Sequence, residues 1–308
     1  MTKLTLAGAA RALTVVLAGL GTLHAASPPP RSIPTPQALE QHAFVTVLDD
    51  ASTPVTGLTV DDFVVREDGL AREILRVADA PPPTHVVLLV DNSQAASALT
   101  VDLRAGLTRL VEHIAAAGEP TPAMRLATFG ERPTTRVDFT TATARVIEGI
   151  DRVFPQPDAG ATLLEALIET AADLRTRQAE RPVIVAFVAE GGPEFSSDLH
   201  TRVAEALRTA GAALWAVALQ DRQGPDLSDP GKERSMVLGD VTGQSGGLTV
   251  PVLSREGITR AFDSVAAALT AQYDVSYARP DSLIPPSRVT VTSRVPSQRV
   301  IASQWTAR

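Results

Sequence analysis

No cysteine occurs anywhere in the 308 residues. That removes a disulfide framework, a lipid-modified cysteine and a thiol nucleophile, so the chain must hold together through its core or through bound ions. Lysine is almost as scarce, with only Lys3 and Lys232, and nothing basic clusters in a chain of net charge -7. Without a basic patch, nucleic acid is not an expected partner. His42, His85, His113 and His200 lie far apart and have no metal-ligand spacing. No fixed-period repeat stands out, and no apolar run reaches the length of a stable membrane span.

What is present is ordinary globular composition, 44% hydrophobic and 20% charged, with length for a sizeable core. The opening "MTKLTLAGAARALTVVLAGLGTLHAASPPP" places Lys3 and Arg11 before an apolar stretch and small residues at Ala25 and Ala26. That order predicts a secretory signal peptide over residues 1–26, and hence export to the periplasm or beyond the cell. Pro-rich residues 27–39 read as an extended linker.

Residues 40–80 read as a small β segment: runs at 44–48, 63–65 and 74–77, separated by turn chemistry at "DDASTPVTG" and "EDG". "PPP" at Pro81, Pro82 and Pro83 marks a boundary. From 84 to 271 the texture alternates strand and helix. Apolar strands are expected at 85–90, 124–129, 183–188, 214–219 and 248–252, with amphipathic helices between them. The fold class expected is α/β, a doubly wound and mostly parallel sheet wrapped by helices. Residues 273–308 return to β texture. Neither β segment has enough strands to stand alone, so the two are expected to pack into one small sandwich.

Three strand ends project polar groups toward one rim of this sheet. "HVVLLVDNSQAAS" ends its strand at Asp91 and Ser93, "DAGATLLEAL" offers Thr162 before a helix, and "VIVAFVAEGG" offers Glu190. Carboxylate, hydroxyl and water form the ligand set of a hard divalent cation such as Mg²⁺, with Mn²⁺ and Ca²⁺ as relatives in kind.

This layout resembles the von Willebrand factor type A domain, whose metal-ion-dependent adhesion site combines Asp-x-Ser-x-Ser, a threonine in a second loop and an aspartate after a later strand. The flanking "VTVLDDASTPVTGLTVDDFVVREDG" and "LTAQYDVSYARP" resemble the segments around this domain in a group of exported bacterial proteins. The resemblance implies a cation held by Asp91, Ser93, Thr162 and Glu190. It also implies a protein partner that supplies an acidic side chain at an open coordination position. Two departures weigh against the ion. Ala95 stands where the family has its second serine, and Glu190 stands where it has aspartate. The alternative for the hydroxyls is structural, with Ser93 and Thr162 capping the helices that follow them.

Other motifs carry less. "GQSGG" matches the G-x-S-x-G string of hydrolases at Ser245, but a helix precedes it and a strand follows, the reverse of a nucleophile elbow. Asp61 and Asp62 read as solvated charge, and Asp221, Asp226 and Asp229 as a surface loop without the oxygen spacing of a calcium site. Three functional readings follow in order: an exported, non-enzymatic, adhesion-type module assisted by a divalent cation; the same module without metal; and, third, a hydrolase.

Overall fold

The computed structural model describes residues 38–221, 224, 226–281 and 284–305. The expected signal peptide and most of the linker lie outside the described residues.

At the centre is a six-stranded sheet. In chain order its strands are β5 (His85–Val90), β6 (Ala123–Thr128), β7 (Thr134–Thr140), β8 (Pro182–Ala189), β9 (Ala213–Leu219) and β10 (Thr249–Val252). Their order across the sheet is β10-β9-β8-β5-β6-β7, and every pairing is parallel except that of edge strand β7. The sequence dictates this arrangement. Every residue of β8 is buried, because helices cover both faces of a parallel sheet. On one face lie α1 (Thr100–Ala116), α2 (Thr143–Asp151) and α7 (Ile258–Thr270), around Leu107, Leu110, Phe187 and Phe262. On the other lie α3 (Leu163–Thr176), α4 (His200–Ala210) and the helical run formed by α5 (Asp229–Met236), a π-turn and α6 (Thr242–Gln244).

The strands outside this sheet come from both ends of the chain. They are β1 (Ala38–Leu48), β2 (Phe63–Glu67), β3 (Leu70–Arg72), β4 (Ile74–Asp79), β11 (Tyr273–Pro280), β12 (Val289–Ser293) and β13 (Arg299–Ala302). One antiparallel sheet has the order β13-β1-β11-β4 and a second the order β12-β2-β3. Val45, Val47, Phe63, Val65, Tyr273, Val275, Val289 and Val291 share one core between them. The two β segments thus form a sandwich into which the α/β domain is inserted. Between β2 and β3, Asp68 and Gly69 both have positive φ, 47° and 85°, the tight hairpin turn that "EDG" announces.

One boundary differs from expectation. β1 begins at Ala38, not near Phe44, because Ala38 through Val45 pair with Pro280 through Tyr273 of β11. Glu40, Gln41 and His42 show no strand pattern of their own; their backbone is ordered by a partner more than two hundred residues away.

Candidate functional site at the carboxyl rim

From β5 the chain moves to β6 on one side, then returns to β8 on the other. The carboxyl ends of β5 and β8 therefore flank the point where strand order reverses, the place where α/β sheets bind ligands. Asp91 follows β5 and Glu190 follows β8, so the sequence pattern and the topology choose the same spot.

Asp91 is wholly buried. Its Oδ1 accepts the Ser93 N–H at 2.9 Å and its Oδ2 the Ala189 N–H at 3.0 Å, which ties the two strand ends together. Burial pushes its pKa upward against those bonds and against the attraction of Arg234. Asn92 continues the tie: its Oδ1 accepts from Gly130 N–H at 2.8 Å and its amide donates to the Phe154 carbonyl at 3.1 Å.

Neither hydroxyl caps a helix, contrary to the structural alternative. Ser93 stands before the 3₁₀ turn Gln94–Leu99 but makes no cap bond; its buried hydroxyl faces the Asp91 carboxylate and helps to lower that group's pKa. Thr162 donates its hydroxyl to the Phe129 carbonyl at 3.0 Å. The N-terminus of α3 is satisfied instead by the loop after β8. Leu163 N–H donates to Glu194 Oε1 at 3.0 Å, and Leu164 N–H to Ser196 Oγ at 3.1 Å.

That loop is the feature the sequence did not announce. Pro193 O accepts from Ala161 N–H at 3.0 Å and Phe195 N–H donates to Ala161 O at 2.7 Å, laying the loop along the threonine segment. From α5, Arg234 enters beneath it and is 2% exposed. Its Nη1 donates to Gly192 O and its Nη2 to Glu190 O, both at 3.2 Å. Nη1 also lies 3.7 Å from Glu194 Oε2, a carboxylate with no exposed surface. Burial pushes Glu194 up to about 7, although Ser196 and Arg234 pull the other way. Glu190 joins this bonding through its backbone, and partial burial raises the pKa of its side chain. Nothing local in the sequence marks Arg234 or Glu194: the first follows Lys232 and Glu233 in a charged run, and the second stands alone in a polar loop.

The donor set can be weighed against a hydrated divalent ion. The buried Ser93 hydroxyl beside the Asp91 carboxylate favours one. Against it, both Asp91 oxygens already accept backbone bonds, and Ala95 brings no oxygen. A methyl group on Gly192 would stand 2.8 Å from the Ala95 Cβ, so the loop lies directly over the missing ligand position. The small cavity of about 10 Å³ that touches Asp91 opens on its other side, toward Leu103, Leu107 and Val153, and includes none of Ser93, Thr162 and Glu190. A buried guanidinium already supplies positive charge among the same loops. The position at Ala95 thus has no oxygen to offer, and Asp91 and Thr162 are already committed to the backbone.

Ser245 of "GQSGG" is 3% exposed; it donates to Thr242 O at 2.7 Å and accepts the Leu214 N–H at 2.9 Å. It fastens α6 to β9, as a turn residue. Asp226 caps its own loop through Ser228 N–H at 2.9 Å, and Asp62 accepts the Thr59 N–H at 2.7 Å.

Residues 85–237 match the family model of the von Willebrand factor type A domain. No curated protein matches the chain. Among solved structures, a von Willebrand factor type A protein from Catenulispora acidiphila is 10% identical, covering 89% of this chain and 75% of that one, with a TM-score of 0.48. Proximal thread matrix protein 1 from the mussel byssus, with a zinc-occupied MIDAS motif, is 13% identical over 66% of this chain and 49% of its own, with a TM-score of 0.49. The vWF domain of the type V pili tip protein Mfa5 from Porphyromonas gingivalis is 13% identical over 61% and 95%, with a TM-score of 0.42. At these identities the likeness is one of fold.

Proposed function

We propose, from the premise that this chain carries a von Willebrand factor type A domain at residues 85–237, that it is an exported, non-enzymatic protein-interaction module that binds without a metal ion. Domains of this type are generally interaction modules. The observation that carries the metal-free reading is the Asp91 carboxylate, wholly buried and committed to two backbone N–H groups beside a loop pinned by Arg234, with Ala95 in place of an oxygen ligand. Aromatic side chains stand around the carboxyl rim instead of an open coordination position. Phe154 is 64% exposed on the loop that Asn92 holds, and Phe195 is 60% exposed on the loop over Gly160. Exposed aromatic anchors of this kind suit a protein partner better than a small polar substrate. Among the described residues no helix is long and apolar enough to cross a membrane. Periplasmic or extracellular residence follows from the expected signal peptide.

Two measurements test this reading. Calorimetry with Mg²⁺, Mn²⁺ and Ca²⁺, alongside thermal melts with and without EDTA, should give no binding heat and no shift. An ion bound well below its free concentration would raise the melting point by linkage, and would restore Asp91, Ser93, Thr162 and Glu190 as its ligands. Peptides selected from a displayed library in EDTA should lose at least tenfold in affinity for a Phe154→Ala/Phe195→Ala variant. Unchanged affinity would remove the rim as the binding face.

A further inference from the structure

At the opposite end of the α/β domain, where β8 and β9 begin and the sandwich meets them, lies a cavity of about 260 Å³. Phe44, Val183, Tyr277 and Trp305 line it with apolar surface, and Arg181 and Arg208 are its arginines. Arg208 is held by Glu205. Arg181 is not paired in that way.

Arg181 stands immediately before β8 with a φ of 49°, a conformation that side-chain-bearing residues adopt only when their surroundings impose it. Its guanidinium lies 4.7 Å over the Phe44 ring. Nη2 donates to Gln272 Oε1, and Gln272 is itself anchored by donating to Thr46 Oγ1 at 3.0 Å. The group is therefore oriented from one end and from one face. Its Nε and Nη1 have no hydrogen-bond partner and are sealed from solvent, so a ligand's head group meets them only when the side chain turns toward the cavity. Asp274 is the carboxylate that acts on it, but that group is already committed to His42 at 2.8 Å and Arg76 at 3.2 Å. Burial without close compensation lowers the Arg181 pKa to about 10. A buried cation with idle donors costs stability unless something answers it.

The geometry points to a binding site for a small amphipathic carboxylate, its head on Arg181 and its apolar body against Phe44, Val183, Tyr277 and Trp305. One unpaired guanidinium balances one negative charge. A phosphate dianion would need a second free cation, and Arg208 is engaged. A neutral ligand would leave Arg181 as it is. At roughly 30 Å³ for each water-sized group, the volume accommodates about eight or nine non-hydrogen atoms. That is the size of a six-carbon fatty acid or an aromatic acid.

The test uses sodium hexanoate, 1-hexanol and hexylammonium chloride as probes on the wild-type chain, following the Trp305 indole N–H by NMR. Trp305→Phe distinguishes that signal from the one of buried Trp215. Hexanoate should saturate with a dissociation constant at least tenfold below that of hexanol, the ratio a charge-assisted hydrogen bond provides. Hexylammonium should leave the signal unmoved. In Arg181→Met the preference for hexanoate over hexanol should fall to about one. Equal binding of hexanoate and hexanol to wild type, or a preference surviving in Arg181→Met, overturns the assignment. So does a Trp305 signal that hexanoate does not move. If Arg181→Met fails to fold, the three probes on wild type still decide.

Discussion

Glu194 makes the rim loop a pH-dependent element, and the size of the effect can be worked out. Its Oε1 accepts from Leu163 N–H at 3.0 Å, from Ser196 N–H at 3.3 Å and from Ser196 Oγ at 2.5 Å. Burial outweighs these bonds and the nearby Arg234, and moves the carboxyl from 4.5 to about 7. In the unfolded chain the proton leaves near 4.5; in the folded one it stays until about 7. Between those values the folded state binds more protons, so stability falls as pH rises, by about 1.4 kcal/mol per unit. The contribution is fully present below 4.5 and lost as the pH passes through about 7, a total of about 3 kcal/mol. Glu194→Gln keeps a carbonyl for Leu163 and Ser196 but does not titrate. Urea denaturation of both proteins at pH 5 and pH 8 isolates the effect, because other titrating groups cancel in the difference. Wild-type stability relative to the variant should drop by about 2–3 kcal/mol across that interval. A flat difference would refute the account. A difference that rises with pH would mean that Arg234 stabilises the carboxylate more than burial penalises it.

Further outcomes follow from other buried groups. Glu67 is almost wholly buried in the sandwich, 2.8 Å from Arg72 and 3.7 Å from Arg279, and accepts the Tyr277 hydroxyl at 3.1 Å. Glu67→Ala strands those cations and should cost about 3–5 kcal/mol in chemical denaturation. Ser245→Ala removes the bond to Leu214 and should lower stability by about 1–3 kcal/mol. Esterase and peptidase screens should find wild type and this variant equally inactive, since the hydroxyl is spent on the fold. A Cβ on Gly247 would stand 1.7 Å from the Leu214 carbonyl oxygen, so Gly247→Ala should yield insoluble protein or a loss above about 4 kcal/mol by the same denaturation assay.

The legible parts of the fold were those where local pattern and tertiary environment agree. The unbroken apolar run of β8 could only be a strand covered on both faces, and Leu103, Leu107, Leu110, Val111 and Ile114 fall on the buried stripe of α1. Asp91, Ser93, Thr162 and Glu190 were readable as a set because each follows a strand or precedes a helix on one rim. What escaped was decided by distant partners. Residues 38–43 are strand only because β11 offers its edge. Arg234 and Glu194 look like surface charges, and only the fold buries them against each other. Arg181 reads as a loop residue until Phe44 and Gln272 arrive from the sandwich.

The sandwich has a mechanical consequence. β1 and β13 lie side by side and antiparallel, with Val45 opposite Ala302 and Leu48 opposite Arg299. The incoming and outgoing chain therefore leave this pair at the same end. Tension between the two ends would peel the ladder open pair by pair instead of shearing all its hydrogen bonds at once. Beyond β13 the chain is also fastened to the α/β domain, Gln304 N–H donating to Gln244 O at 2.9 Å beside the Ser245–Ser303 bridge, so a pull on that end loads α6 before it reaches β13. Pulled in this way, the molecule would take up load first where Gln304 meets Gln244, at the end of the α/β domain away from the rim.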